Sequence, residues 1–362
     1  MNPTVKITLT KTLILVFFAL TAFFVLPGRV SAAENKVGDF TVTGDSSGYT
    51  YDIDTRTLTV NNGADVTIKN TVPETPTEDK IVVAGDASIT LDGVKIDVSD
   101  DYNSCAFAVQ NNAALNLTLS AGSTNSLTSG SGCAGLNVPE NAKLTIESNA
   151  SSPGTLAANG GYCGAGIGGN SEARSISGAI TINGGVISAK GSGGGAGIGG
   201  SYTRNDNQAP SSSSGAVTIN GGSVTARGDA GAGIGGGYAE SFGQETTSSC
   251  GAVTINGGTV TAIGGECSAG IGGGYASVLS SPDLPMKTTS EGGAVVITGG
   301  SVKATKGVNG RDNIGSGRAR EGSSSEKGTE TPGTLKNGSG ADVSLVTLTL
   351  SGDPAANKTI DT

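Results

Sequence analysis

The chain has no tryptophan and no histidine, only two methionines, and aromatic residues make up just 4%. A core built around large rings is thereby excluded, and Val, Ile, Leu and Ala must fill it. Without histidine, the side chain that most often moves a proton near neutral pH is missing. The commonest nitrogen ligand for zinc is missing too, and no C-x-x-C pair replaces it. Five cysteines cannot all pair with one another. Stacked as small hydrophobes they need no partners, although a Cys105–Cys133 bridge stays open. Positive charge is also scarce, with 22 Lys+Arg against 31 Asp+Glu. Three of those bases, Lys6, Lys11 and Arg29, lie in the first 32 residues, where no acid occurs; removing that segment leaves 19 against 31. No basic footprint for nucleic acid or an anionic lipid surface is present.

Glycine is the residue in excess, at 61 of 362. In "CGAGIGGN" (163–170) the spacing matches the G-x-G-x-x-G dinucleotide fingerprint. That fingerprint needs a helix opening at the glycines, whereas here a polar stretch and another strand follow. Residues 1–32 read as a signal peptide. Lys6 and Lys11 precede an apolar run from Leu13 to Leu26, and Val30-Ser31-Ala32 offers a small-residue cleavage site. The run is short for a membrane span, so export without membrane insertion after cleavage is expected. Residues 341–362 read as the start of a further β module that breaks off.

Internal repetition is the main signal. "GAITINGGVISAKGSGGGAGIGG" (178–200), "GAVTINGGSVTARGDAGAGIGG" (215–236), "GAVTINGGTVTAIGGECSAGIGG" (251–273) and "GAVVITGGSVKATKGVNGRDNIGSG" (293–317) are one unit repeated. Within each unit apolar residues alternate with polar ones, which is the strand period. Three short strands joined by glycine turns make one coil, and stacked coils put like residues in columns. Expected inward columns are Ile182/Ile219/Ile255/Ile297, Ile187/Val224/Val260/Val302 and Ile167/Ile198/Ile234/Ile271/Ile314. Weaker copies lie at 81–99, 105–123 and 133–149. The expected fold is all-β: a right-handed single-stranded parallel β-helix, a solenoid with an N-terminal cap. Residues 33–80 form leader and cap, and residues 81–340 form the helix, with loops inserted at one corner of each coil.

The motifs "CAGLNVPENAKLTI" and "TINGGxVTAxG…GAGIGG" resemble the secreted bacterial carbohydrate-binding domain-containing proteins with a pectate-lyase-like parallel β-helix. The resemblance covers about 38–340. It implies an extracellular protein, secreted or on the cell surface, that binds a polysaccharide or other glycan without catalysis, as a carbohydrate-binding or adhesin-like module, sometimes with calcium. A structural stalk presenting a C-terminal module is the alternative, and a polysaccharide lyase or glycosidase is third. Polygalacturonase-like enzymes on this fold carry Gly-His-Gly and Arg-Ile-Lys elements, and neither occurs here.

Tyr202, Tyr238 and Tyr275 each lie four residues after a repeat isoleucine and should stack on successive coils. Sugar rings stack on aromatic faces, so this row, with Arg204 and Glu240 beside it, is the candidate carbohydrate site. The competing reading is a staple that packs the loop bases. Asp97, Asp100 and Asp101 in "KIDVSDDYN" form a candidate calcium site, because closely spaced oxygens suit that ion. The competing reading is a solvated acidic turn. Asn183, Asn220 and Asn256 recur at the first turn and are expected to form a structural ladder of side-chain amides.

Overall fold

A computed structural model describes residues 34–279, 287–321, 326–327, 329–331 and 334–337. Residues 1–32 and 341–362, expected to be a signal peptide and the start of a further β module, lie outside these residues. The described residues form strands, turns and a single short 3-10 turn at Ser46–Gly48, with no α-helix. The strands stack into a right-handed parallel β-helix.

Three ladders make the walls. The eleven-stranded one runs from Glu34–Val37 to Thr334–Asn337, the seven-stranded one from Lys95–Asp97 to Ser301–Thr305, and the ten-stranded one from Tyr49–Asp52 to Ile314–Gly315. Register is set by the alternating sequence, because a one-residue slip would turn every apolar side chain outward. Ile182 pairs with Ile219, Ile219 with Ile255, and Ile255 with Ile297. The Ile187/Val224/Val260/Val302 and Ile167/Ile198/Ile234/Ile271/Ile314 columns are likewise continuous. Nearly all of these side chains are fully buried. Each contributes about 1.5–3 kcal/mol, so stability grows coil by coil.

The N-terminal end is closed by antiparallel pairing. Glu34–Val37 folds back on Phe40–Gly44, which runs antiparallel to Asp65–Asn70, and Tyr49–Asp52 is antiparallel to Thr57–Val60. Parallel stacking then starts with Thr57–Val60 on Lys80–Val83 and Asp65–Asn70 on Ala87–Leu91. The first coil thus begins inside the segment assigned to the cap, because "TLTV" and "DVTIKN" alternate like any later coil strand. Asp79 fastens this junction. It is 1% exposed, and its carboxylate accepts from Arg56 Nε at 2.7 Å, the Asp39 N–H at 2.8 Å and Tyr51 Oη at 2.9 Å. A buried carboxylate is tolerated only when so fully paired.

The connections expected as loops are themselves strands. Arg174–Ile176, Ser211–Ser213, Thr246–Ser249, Thr288–Glu291 and Thr329–Thr331 form one additional ladder. Thr203–Arg204, Ala239–Ser241, Ala276–Val278, Ala319–Glu321 and Glu326–Lys327 form another. The first is Ser- and Thr-rich and lacks an apolar stripe, while the second buries the column Ala239/Ala276/Ala319; in both, stacked copies satisfy one another's backbone groups. Between this arm and the main body lies a core of hydroxyls. Ser212 Oγ donates to the Ser201 carbonyl at 2.5 Å and accepts the Gly237 N–H at 3.0 Å. Ser248 Oγ repeats this on the Gly237 carbonyl at 2.7 Å and the Gly274 N–H at 2.9 Å. Here the repeated glycines are needed for close approach: a Cβ on Gly236 would collide with Ser248 Oγ.

Candidate functional site

The tyrosine position is fixed first by the backbone. The Tyr202 N–H donates to the Cys163 carbonyl at 3.1 Å and the Tyr238 N–H to the Gly194 carbonyl at 2.8 Å, each reaching the corner of the preceding coil. Ser171 and Arg318 make the same bond, at 2.8 Å to Gly132 and 2.7 Å to Cys267, so the bond does not require an aromatic ring. The rings are an addition made on three successive coils. Gly194 makes room for two of them, since a Cβ there would lie 2.8 Å from Tyr202 Cβ and 3.2 Å from Tyr238 Cβ.

The three rings come together as expected. Tyr202 meets Tyr238 edge-on, with centroids 5.3 Å apart and planes at 61°. Tyr238 and Tyr275 stack at 4.7 Å and 19°. All three are half-buried, and facing rings cover one another, so the ladder offers solvent its edges. Tyr202 Oη donates to Glu240 Oε2 at 2.8 Å. Burial, then that bond and the Glu240 charge, push the Tyr202 hydroxyl well above the usual tyrosine range. Tyr238 is raised in the same sense, by burial first and then by Glu240 and its tyrosine neighbours.

Arg204 and Glu240 are register partners, and the column continues to Ser277 and Arg320. The Arg204 guanidinium carbon lies 4.7 Å from the ring centre of Phe242, within cation–π range. Asp206 holds both: its carboxylate accepts the Phe242 N–H at 2.9 Å and faces Arg204 at 3.4 Å. The Phe242 N–H, first, and then the Arg204 contact keep the Asp206 carboxyl below the usual carboxylate range. Phe242 is 49% exposed, and Tyr162, two residues before Gly164 on the neighbouring corner, is 68% exposed. Neither ring was singled out from the sequence, since neither occupies a recurring repeat position. Arg318 and Arg320 extend the exposed face by one coil.

The proposed calcium ligands do not converge. Asp97, Asp100 and Asp101 line an open depression of about 260 Å³ with Glu78. All three are exposed, and Asp97 accepts its own turn's Ser99 N–H at 3.1 Å. Glu78 is held by Arg56 at 2.5 Å. Among the described residues no group of three or more His, Cys, Asp or Glu side chains could hold a metal ion. Their exposure fits the competing reading, a solvated acidic turn. The asparagines do form a ladder: Asn220 Nδ2 donates to Asn183 Oδ1 at 2.7 Å, Asn256 Nδ2 to Asn220 Oδ1 at 2.8 Å, and Thr298 Oγ1 ends it on Asn256 Oδ1 at 2.7 Å. A second concavity, of about 490 Å³, lies along the seven-stranded ladder and is lined by Glu74, Lys95, Ser126, Thr155 and Ser188 among others.

The beta helix repeat family model matches four segments, 180–202, 217–238, 253–275 and 295–318. These segments end on Tyr202, Tyr238, Tyr275 and Arg318, so the aromatic row sits at the same point of three successive repeats and an arginine takes that point in the fourth. A search of curated proteins and a search of solved structures each returned no match.

Proposed function

We propose that this chain is an exported, non-catalytic carbohydrate-binding module that acts outside a bacterial cell, secreted or as an adhesin-like surface element. The observation that carries this reading is the single exposed face on which Arg204, Glu240 and Phe242 stand over the tyrosine ladder. Phe242 offers apolar surface to a sugar ring, while the guanidinium and carboxylate suit sugar hydroxyls. Coil-by-coil repetition suits a ligand that itself repeats.

Retention on an array of polysaccharides, run with and without calcium, tests the proposal. The double variant Arg204→Ala, Phe242→Ala should lose retention at least tenfold while keeping the wild-type circular dichroism spectrum. Retention that survives it and falls with Lys95→Ala would move binding to the groove on the seven-stranded ladder. No retention of any glycan by the wild type favours a spacer that presents another module. That second reading is supported by the mutual covering of the Tyr238 and Tyr275 rings.

A further inference from the structure

We infer that Cys105 and Cys133 form a reactive thiol pair that accepts a covalent cross-link from a small-molecule disulfide, joining two successive coils. Both thiols are free and precede paired strands, Phe107–Val109 and Leu136–Asn137. The register Leu136↔Phe107 sets Ala134 beside Cys105. Both cysteines lie in the turns ahead of these strands, and there the two thiols come within hydrogen-bonding reach of each other.

A third residue holds the pair in place. Asn170 Nδ2 donates to Cys105 Sγ at 3.4 Å, while Asn170 Oδ1 accepts the Ala134 N–H at 2.8 Å. The two thiols are also unequal. The Cys133 thiol and then the Asn170 amide hold Cys105 below the usual thiol range against its burial, whereas Cys133, the donor, is held far above it. Cys105 is partly exposed and Cys133 is buried. Cys163 and Cys250 have no such partner, and burial pushes them up to about 11 and about 12. Thiolate character and access thus single out Cys105 as the attacking group.

The exchange balances with glutathione disulfide as oxidant. The Cys105 thiolate attacks one glutathione sulfur, the glutathione S–S bond breaks, and one glutathione thiolate leaves. Cys133 then gives up its proton and attacks Cys105 Sγ, expelling the second glutathione. Two electrons and two protons pass from the cysteines to two glutathiones.

The test treats the purified full chain with oxidised glutathione, unfolds it, alkylates free thiols and maps the peptides. Both cysteines lie on the tryptic peptide Ile96–Lys143. The expected product is this peptide, unalkylated and lighter by two hydrogens than the dithiol form. Chymotrypsin, cutting at Phe107 and Leu115, should leave two fragments that separate only on reduction. Cys133→Ser should stop at a glutathione adduct on Cys105, and Asn170→Ala should move the pH profile of the reaction rate upward. A wild type recovered with both cysteines alkylated, or halted at the Cys105 adduct with Cys133 alkylated, overturns the inference. So does a cross-link from Cys105 to Cys163.

Discussion

Tyr238 and Tyr275 lie face to face, ring centres 4.7 Å apart and planes 19° from parallel, on strands that pair in register one residue later. The spacing is that of adjacent strands, so the coil repeat itself imposes the stack. Tyr238 is the central ring, touching Tyr202 on its other side. Tyr238→Ala removes both contacts and opens a gap over Gly194. Aromatic pairs contribute about 0.5–1.5 kcal/mol each beyond area burial, so a loss of about 2 kcal/mol is expected. Denaturant midpoints for Tyr238→Ala and for the terminal Tyr275→Ala check this; an equal shift in the two would contradict the ladder.

Glycines inside and outside the repeat should divide into two classes on substitution by alanine. A Cβ on Gly233 would meet Ile263 N at 2.5 Å and Gly270 O at 2.6 Å, both backbone atoms of the next coil. Gly233→Ala must therefore push coils apart, and a loss above about 3 kcal/mol is expected from such overpacking. Gly243, with φ of +76° and nothing within 4 Å, should lose only about 1 kcal/mol through its left-handed backbone. Thermal unfolding of the two variants side by side measures the difference.

Removing the acid that locks the cap leaves Arg56, the Asp39 N–H and the Tyr51 hydroxyl without their acceptor. Breaking a buried ion pair by deleting one partner costs about 3–5 kcal/mol, and Asp79→Ala is expected near the lower figure because Arg56 is partly exposed. Limited proteolysis should then cut first in the antiparallel strands before Thr57. Cleavage spread evenly along the solenoid would argue against a local lock.

The same junction responds to alkali. Burial first, and then the hydrogen bond to Asp79, raise the Tyr51 hydroxyl from its ordinary 10.0 to about 12. A folded-state value raised above the unfolded one means the stabilisation is complete below the ordinary value. It drains away as pH climbs from there through about 12. The lead of the wild type over Tyr51→Phe, read as an unfolding midpoint, should be largest near neutral pH and shrink across that window. A lead independent of pH would show that the hydroxyl bond adds nothing to the cap.

Turn chemistry gives a fourth contrast. Asn220 both donates to Asn183 and accepts from Asn256. Asn220→Ala forfeits both bonds, about 1 kcal/mol for exposed amides. Asn220→Asp keeps only the acceptor above its own titration and sets a carboxylate against Asn183 Oδ1, so at neutral pH it should be the less stable of the two. Acid should restore it, since a protonated carboxyl can donate again.

The columns of Ile and Val could be read from the sequence because one inward face per strand, repeated at near-constant length, leaves a single register. The tyrosine stack followed from the same counting. The arm strands did not, because a run such as "SSSS" has no apolar alternation. Its ladder is specified by what lies beneath it, the glycine backbone that Ser212 and Ser248 bond. Asp79 was equally silent, since its three partners are scattered over residues 39–56 and meet only when antiparallel strands close the cap. The acidic run at 97–101 is the opposite case: its close spacing was plain in the sequence, while its three carboxylates lie exposed where the chain turns a corner. Phe242 gave no signal because it occurs on one coil only.

The two arm ladders begin only at Arg174–Ile176 and Thr203–Arg204, so earlier coils have three walls and later ones carry a doubled girder. Resistance to bending rises steeply with the width of a beam. A sideways pull should therefore be absorbed as curvature in the slender N-terminal coils, while the coils that display the tyrosines swing as one stiff block. A surface that must meet a ligand along several coils at once gains from being mounted on the part that does not flex.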